Sequence, residues 1–235
     1  HLQSVAMIGR EKAFKDAEDQ LQAAAKGQSA ALLIHGAAGT GKSLFLKKLI
    51  RRAEDNKFLV AAGSAISNSV EPLEAFLDLL RSHFAAGESL LTDEEVARMV
   101  KRYFQGSFND DETVDFISQA LSGAGLFSPE AGPHLQKRDR LAALKPHKWY
   151  KMIAQMTLRS PLLIALENLH SGDVLTIELL KYLAHRCREN CVKVCFCVTF
   201  QPASSPSEET EVHRALRNLS DLYTESTPLF TPLEL

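Results

Sequence analysis

The sequence has no apolar run approaching the roughly 18 to 20 residues that a helix needs to cross a bilayer, which excludes a membrane span of that kind. It has almost no net charge. Lys plus Arg is 27 and Asp plus Glu is 29, so the balance of -2 provides no global basic field to steer the chain onto nucleic acid or anionic lipid. The basic clusters Lys137-Arg138-Asp139-Arg140 and Arg186-Cys187-Arg188 lack interleaved aromatics and read as solvated helix ends, so nucleic acid is not an expected partner. Cysteine is scarce: Cys187, Cys191, Cys195 and Cys197 all lie within eleven residues, whereas a secreted disulfide framework spreads its cysteines to close long loops. A reducing, cytoplasmic setting is expected. Their spacing contains no C-x-x-C pair, so core packing is expected of them in place of a zinc or redox site. The first ten residues lack a charged start, an apolar core and a cleavage site, so they are no signal peptide. They also lack an initiator Met, and we read the chain as a fragment of a longer multidomain protein. The guanine-reading pattern Asn-Lys-x-Asp is missing, since Asn56-Lys57 is followed by Phe58-Leu59, which disfavours a GTPase.

What is present is the composition of a globular domain, 45% hydrophobic and 24% charged over 235 residues, enough for one sizeable core. Phe14, Ala17, Leu21 and Ala24 recur at helical spacing between Gly9 and Gly27. Ala30 to His35 then forms a short continuous apolar run, the pattern of a parallel strand buried on both faces. A Gly-rich turn leads to a second amphipathic helix from Ser43 to Asn56. Further strands are expected at Phe58 to Ala65, Pro161 to Leu166, Val192 to Phe200 and Leu229 to Leu233. Helices are expected from Pro72 to Phe84, after the capping box Thr92-Asp93-Glu94-Glu95, and around Val114, Trp149, Ile177 and Leu216. A Gly- and Pro-rich loop from Ser122 onward reads as the most flexible stretch. Strands alternating with helices predict an α/β fold, a parallel sheet with helices on both faces, with a helical insert at about residues 67–158.

Gly36-Ala37-Ala38-Gly39-Thr40-Gly41-Lys42-Ser43 matches G-x-x-x-x-G-K-[ST] between a predicted strand and a predicted helix, the context this motif requires. The glycines let successive backbone N–H groups turn toward one anion, and the helix N-terminus adds partial positive charge. Lys42 is placed to reach β- and γ-phosphates, and the Ser43 hydroxyl to ligate Mg²⁺. A second oxygen ligand is expected at the end of a neighbouring strand. Glu167, which ends the most hydrophobic late strand, is the candidate.

These residues resemble the AAA-like signal-transduction ATPases with numerous domains (STAND), in the subgroup found in large LuxR-type transcription regulators and soluble-type adenylyl cyclases. The likeness rests on Met7-Ile8-Gly9-Arg10-Glu11, Gly36 to Ser43, Glu71-Pro72-Leu73, Glu167-Asn168-Leu169-His170-Ser171-Gly172-Asp173 and Val198-Thr199-Phe200-Gln201-Pro202. The long insert with its Leu126-Phe127-Ser128-Pro129 turn looks most like the soluble adenylyl cyclase version. The resemblance implies a P-loop nucleotide-binding domain over 1–235 that takes ATP or ADP with Mg²⁺. It further implies that Met7, Ile8, Gly9 and Arg10 lie over the adenine and ribose, and that a helical lid, absent here, follows the last strand. An attached or partner effector domain would receive the signal. Three departures stand out. Glu167 replaces the usual aspartate, Asn168 replaces a second acidic residue that polarises the attacking water, and Gln201 stands where an arginine often senses the γ-phosphate. An amide orients water but takes no proton, so nucleotide binding is expected to outlast hydrolysis. The alternatives are an active ATPase that borrows an arginine from a partner, and a degenerate scaffold for protein contacts.

Overall fold

The computed structural model describes residues 9–66, 72–84, 93–103, 111–122, 145–224 and 227–235. Met7, Ile8, Glu71, Thr92, the loop after Ser122 with its Leu126 to Pro129 turn, and the Lys137 to Arg140 cluster lie outside these residues.

Helix α1 (Glu11–Ala25) leads into strand β1 (Ala30–His35), and α2 (Lys42–Asp55) leads into β2 (Leu59–Ser64). Four helices follow among the described residues: α3 (Glu74–Phe84), α4 (Asp93–Tyr103), α5 (Asp111–Ser122) and α6 (Pro146–Met156). Then come β3 (Leu162–Glu167), α7 (Val174–Glu189), β4 (Val194–Phe200) and α8 (Glu211–Leu219). A two-stranded antiparallel pair, β5 (Tyr223–Thr224) and β6 (Thr227–Pro228), precedes the last strand β7 (Thr231–Glu234). The main sheet is parallel throughout, in the order β2-β3-β4-β1-β7.

Because side chains alternate across a strand, each strand feeds two cores. Leu32, Ile34, Cys195, Cys197, Leu163 and Ala165 pack under α1 and α2, where Phe14 meets Phe45 edge to face. Leu33, Ile164, Phe196 and Val198 face the larger core of α3, α6, α7 and α8, in which Trp149 contacts Phe76 and Phe116. Cys187, Cys195 and Cys197 are free thiols buried in this packing, with Cys187 and Cys195 pushed up to about 12 by burial. Cys191 departs from the core expectation. It is exposed in a left-handed turn (φ 52°) between α7 and β4.

The edge strand β2 is covered by α3, whose Asp78 carboxylate accepts the Ser64 N–H (2.8 Å) while the Ser82 hydroxyl donates to the Ala62 carbonyl. Gly63 makes this approach possible, since a Cβ there would sit 2.1 Å from the Ala75 carbonyl oxygen. Helix α3 begins two residues later than its Pro72 start suggests, because Leu73 is left-handed (φ 62°). The Leu73 N–H is taken by the Asp173 carboxylate at 3.0 Å. The last strand is also displaced. Leu229 and Phe230 plug the α7–α8 core instead of joining the ladder, and pairing with β1 starts at Thr231. Pro232, which cannot donate to a ladder, is tolerated because β7 is the opposite edge. No described helix is long and apolar enough to cross a membrane.

Candidate phosphate-binding site

The loop from Gly36 to Gly41 leaves the C-terminal end of β1 and runs directly into α2. Gly39 (φ 76°) and Gly41 (φ 89°) are left-handed, the conformation that turns neighbouring N–H groups toward one concavity and that only glycine adopts without cost. Gly41 caps α2 with no side chain, so the first-turn N–H groups of the helix face the loop without a side-chain acceptor. The Lys42 ammonium bridges the loop by donating to the Gly36 and Ala37 carbonyls, each at 2.8 Å, and the Thr40 hydroxyl donates to Ala37 at 2.9 Å. Burial lowers the Lys42 pKa. Ser43, at the second position of α2, is exposed.

Two segments bound the loop. Gly9 is left-handed (φ 80°), and the Arg10 guanidinium reaches Gly41, where a Cβ would stand 2.8 Å from Nη1. On the other side the Leu235 N–H donates to the His35 carbonyl (2.9 Å), and the Leu235 carbonyl oxygen would lie 2.4 Å from a Cβ on Gly36.

Glu167 ends β3, in register with Ser64 on β2. The sequence pattern predicts it on the strand neighbouring the phosphate-loop strand. In the sheet β4 lies between β1 and β3, so Glu167 is one strand removed. Asn168 follows in the left-handed region (φ 58°), which asparagine tolerates. Its backbone N–H donates to Thr199 Oγ1 (3.2 Å) on β4 and its side-chain Nδ2 to Ser64 Oγ (3.3 Å) on β2, so the residue is tied to both neighbouring strands and its side-chain amide to Ser64. Gln201 lies just past β4, and its N–H donates to His170 Nδ1 at 3.3 Å. Burial, His213 and Lys42 together lower the His170 pKa.

The C-terminal edge of the sheet therefore gathers Arg10, the loop, Lys42 and Ser43 beside Glu167, Asn168, His170 and Gln201. Ligands of open parallel sheets bind at this edge. Sequence reasoning missed Ser64 and Thr199. A hydroxyl in the otherwise apolar run Val194 to Phe200 was the available signal for Thr199, which is only 1% exposed. Ser64 carried no such signal. A cavity of about 640 Å³ lies at the ends of β1 and β4, lined by His35, Phe200, Pro202, His213 and Arg217 among others.

The AAA ATPase domain profile matches residues 6–196. No curated protein matches the sequence. Among solved structures, the chain is similar to the Pif1 helicase from Candida albicans, with 16% identity and a TM-score of 0.35 over 94% of this chain and 39% of that one. It is also similar to a bacterial conjugative coupling protein, TrwB, with 13% identity and a TM-score of 0.32 over 82% of this chain and 67% of that one. The chain thus spans well under half of the helicase's length. The profile runs from the segment before α1 through the phosphate loop and β3 into β4, and by that match the chain belongs to the AAA ATPase domain family.

Proposed function

We propose that the chain is a regulatory nucleotide-binding module that takes ATP or ADP with Mg²⁺ and serves as a switch in a longer signalling protein of the STAND type. The observation that carries this reading is the loop itself, where left-handed Gly39 and Gly41 and an uncapped α2 surround a Lys42 ammonium poised over the loop carbonyls. Backbone donors and one cation in a concavity are what a polyphosphate requires. Ser43 and Glu167 supply oxygen donors of the hardness that Mg²⁺ prefers, and when bound the ion would neutralise charge on the phosphates. The Arg10 guanidinium reaches Gly41 of the loop, and the family likeness assigns the Met7 to Arg10 segment to the adenine and ribose. The likeness to the ATPase region of soluble-type adenylyl cyclases gives the finer reading of the parent protein. A cytoplasmic location follows from its cysteine usage.

The Asn168 backbone is tied to Thr199 and its side-chain amide to Ser64, and that amide can orient water but takes no proton. Gln201 supplies no charge to a developing phosphoryl anion. Binding therefore outlasts turnover. Calorimetry with Mg-ATP on the whole chain tests the binding, and absence of heat and of competition by ADP overturns it. The double variant Asn168→Asp, Gln201→Arg should raise single-turnover hydrolysis by about a hundredfold, the lower end of what a positioned base contributes. The Ser64 hydroxyl can rotate to donate to the new carboxylate, so the fold should tolerate the change. An unchanged rate with affinity intact would place the limit elsewhere, in an arginine that a partner must supply.

A further inference from the structure

At the other end of the strands, away from the phosphate loop, a cavity of about 530 Å³ opens where β2 and β3 begin. Helices α2 and α6 both end on it, at Asp55 and Met156. Its wall is apolar, made by Phe58, Leu59, Met156 and the Tyr103 ring, whose hydroxyl faces His83 Nε2 at 3.1 Å. Its rim carries both signs of charge: the Glu54 carboxylate, the Lys57 ammonium and the Arg159 guanidinium, all on exposed residues. Lys57 is left-handed (φ 65°), so its side chain is presented at the cavity by a backbone that glycine would adopt more cheaply. Gln155, also on the lining, is the group that the packing leaves incomplete. Its Oε1 is shut off from solvent and has no hydrogen-bond partner. A desolvated acceptor without a donor is unfavourable, and the terminal torsion of glutamine is soft, so a donor arriving in the cavity turns the amide toward itself.

We propose that this cavity is a second ligand site, separate from the phosphate loop, that binds an apolar amino acid in its zwitterionic form. The ligand's ammonium goes to the Glu54 carboxylate and the turned Gln155 oxygen, its carboxylate to Arg159 and Lys57, and its side chain to the apolar wall. The planar guanidinium of Arg159 suits a carboxylate, which it meets with two parallel donors. The ends of α2 and α6 favour the ammonium, since the last carbonyls of a helix carry partial negative charge. Ligands of one charge use only half of this set. An apolar acid sets its carboxylate beside Glu54 and leaves Gln155 without a donor, and an apolar amine leaves Lys57 and Arg159 without a counter-charge. A polar amino acid in turn wastes the contact with Phe58 and Met156, which are buried in the wall. The volume is that of a small-molecule site. Helix α2 starts at the phosphate loop and ends here, so the two sites stand about 20 Å apart along it, and this one does not rest on the nucleotide reading.

The test titrates the whole chain with leucine and with phenylalanine by calorimetry, and follows the Gln155 side-chain amide of labelled protein by NMR. Both amino acids should bind at one site per chain and move the Gln155 resonances. Isocaproate lacks the ammonium, leucinamide lacks the carboxylate and serine lacks the apolar side chain, so each should bind about tenfold or more below leucine. Gln155→Met keeps the side-chain length and removes the amide. Its urea midpoint should hold or rise, because an unsatisfied buried oxygen is gone, while leucine binding falls about tenfold. A purely structural glutamine would not give that split. Arg159→Gln, on the exposed rim, should weaken leucine about tenfold and leave the weaker leucinamide binding unchanged, since leucinamide offers that side chain no carboxylate. The assignment is overturned if neither amino acid binds at millimolar concentration, or if isocaproate or leucinamide binds as tightly as leucine. It is equally overturned if either variant, folded, binds leucine as the parent does, or if Gln155→Met lowers the urea midpoint.

Discussion

Replacing Lys42 with alanine should weaken Mg-ATP binding by about a hundredfold or more. The ammonium stands at the centre of the loop, and a hydrogen bond to a charged group contributes about 1.5 to 3 kcal/mol, so losing one or two of them costs on the order of 3 kcal/mol. In the free protein the same ammonium bridges Gly36 and Ala37, and its removal leaves those two carbonyls to water. Water can satisfy them because the bond to Ala37 is exposed and the one to Gly36 only partly buried. The variant should therefore fold with a stability within about 1 kcal/mol of the parent. Calorimetry beside a urea melt separates the two effects. Equal affinity in both proteins, with both folded, would show that the loop does not hold the phosphates. A large loss of stability would instead show the lysine to be a brace for the loop.

The contrast between Lys42 and Ser64 shows what the sequence carried and what it did not. Lys42 was legible because the motif fixes glycine, lysine and hydroxyl at set spacing within eight residues of the end of a buried strand, a purely local pattern. Strands β1, β3 and β4 were legible for a related reason. In a parallel sheet covered on both faces a strand is one unbroken apolar run, as in Ala30 to Ile34 or Leu162 to Leu166. That same uniformity hides the order of strands. Nothing in Val194 to Phe200 distinguishes a central strand beside β1 from one farther out, so β4 between the loop strand and the Glu167 strand had to be seen. The start of α3 was hidden too, since the residue that takes the Leu73 N–H lies a hundred positions later, at Asp173. Ser64, which steadies Asn168, is marked by no pattern at all, because its role exists only once β2 and β3 are in register. His170 stood in the quoted motif, yet its partner His213 lies on another helix and became visible only through the fold.

Gly63→Ala should be the most damaging added methyl group among the described glycines, with a loss of about 3 kcal/mol or more. Gly63 is not in the left-handed region, so alanine suits the strand backbone there and on propensity alone would be slightly favoured. The cost comes from contact. The new Cβ would stand 2.1 Å from the Ala75 carbonyl oxygen and 2.6 Å from the Leu79 nitrogen, and backbone atoms of a helix cannot rotate away as a side chain does. Helix α3 must shift off β2, which strains the Asp78–Ser64 and Ser82–Ala62 hydrogen bonds along the strand edge. Overpacking contributes about 1 to 3 kcal/mol and each weakened bond about 1 more. Gly39→Ala is the control, because its Cβ would meet nothing within 4 Å and its only cost is the left-handed backbone, about 1 to 2 kcal/mol. Urea melts of the two variants should differ in midpoint at similar slope, with Gly63→Ala the less stable. The shift should also reach the site, since Ser64 is the residue next to Gly63 and holds Asn168. The Asn168 side-chain amide resonances should move in Gly63→Ala and stay in place in Gly39→Ala. If Gly39→Ala proves the more destabilising of the two, the close seat of α3 on β2 does not govern the stability of this edge, and Ser64 keeps its hold on the Asn168 side chain without it.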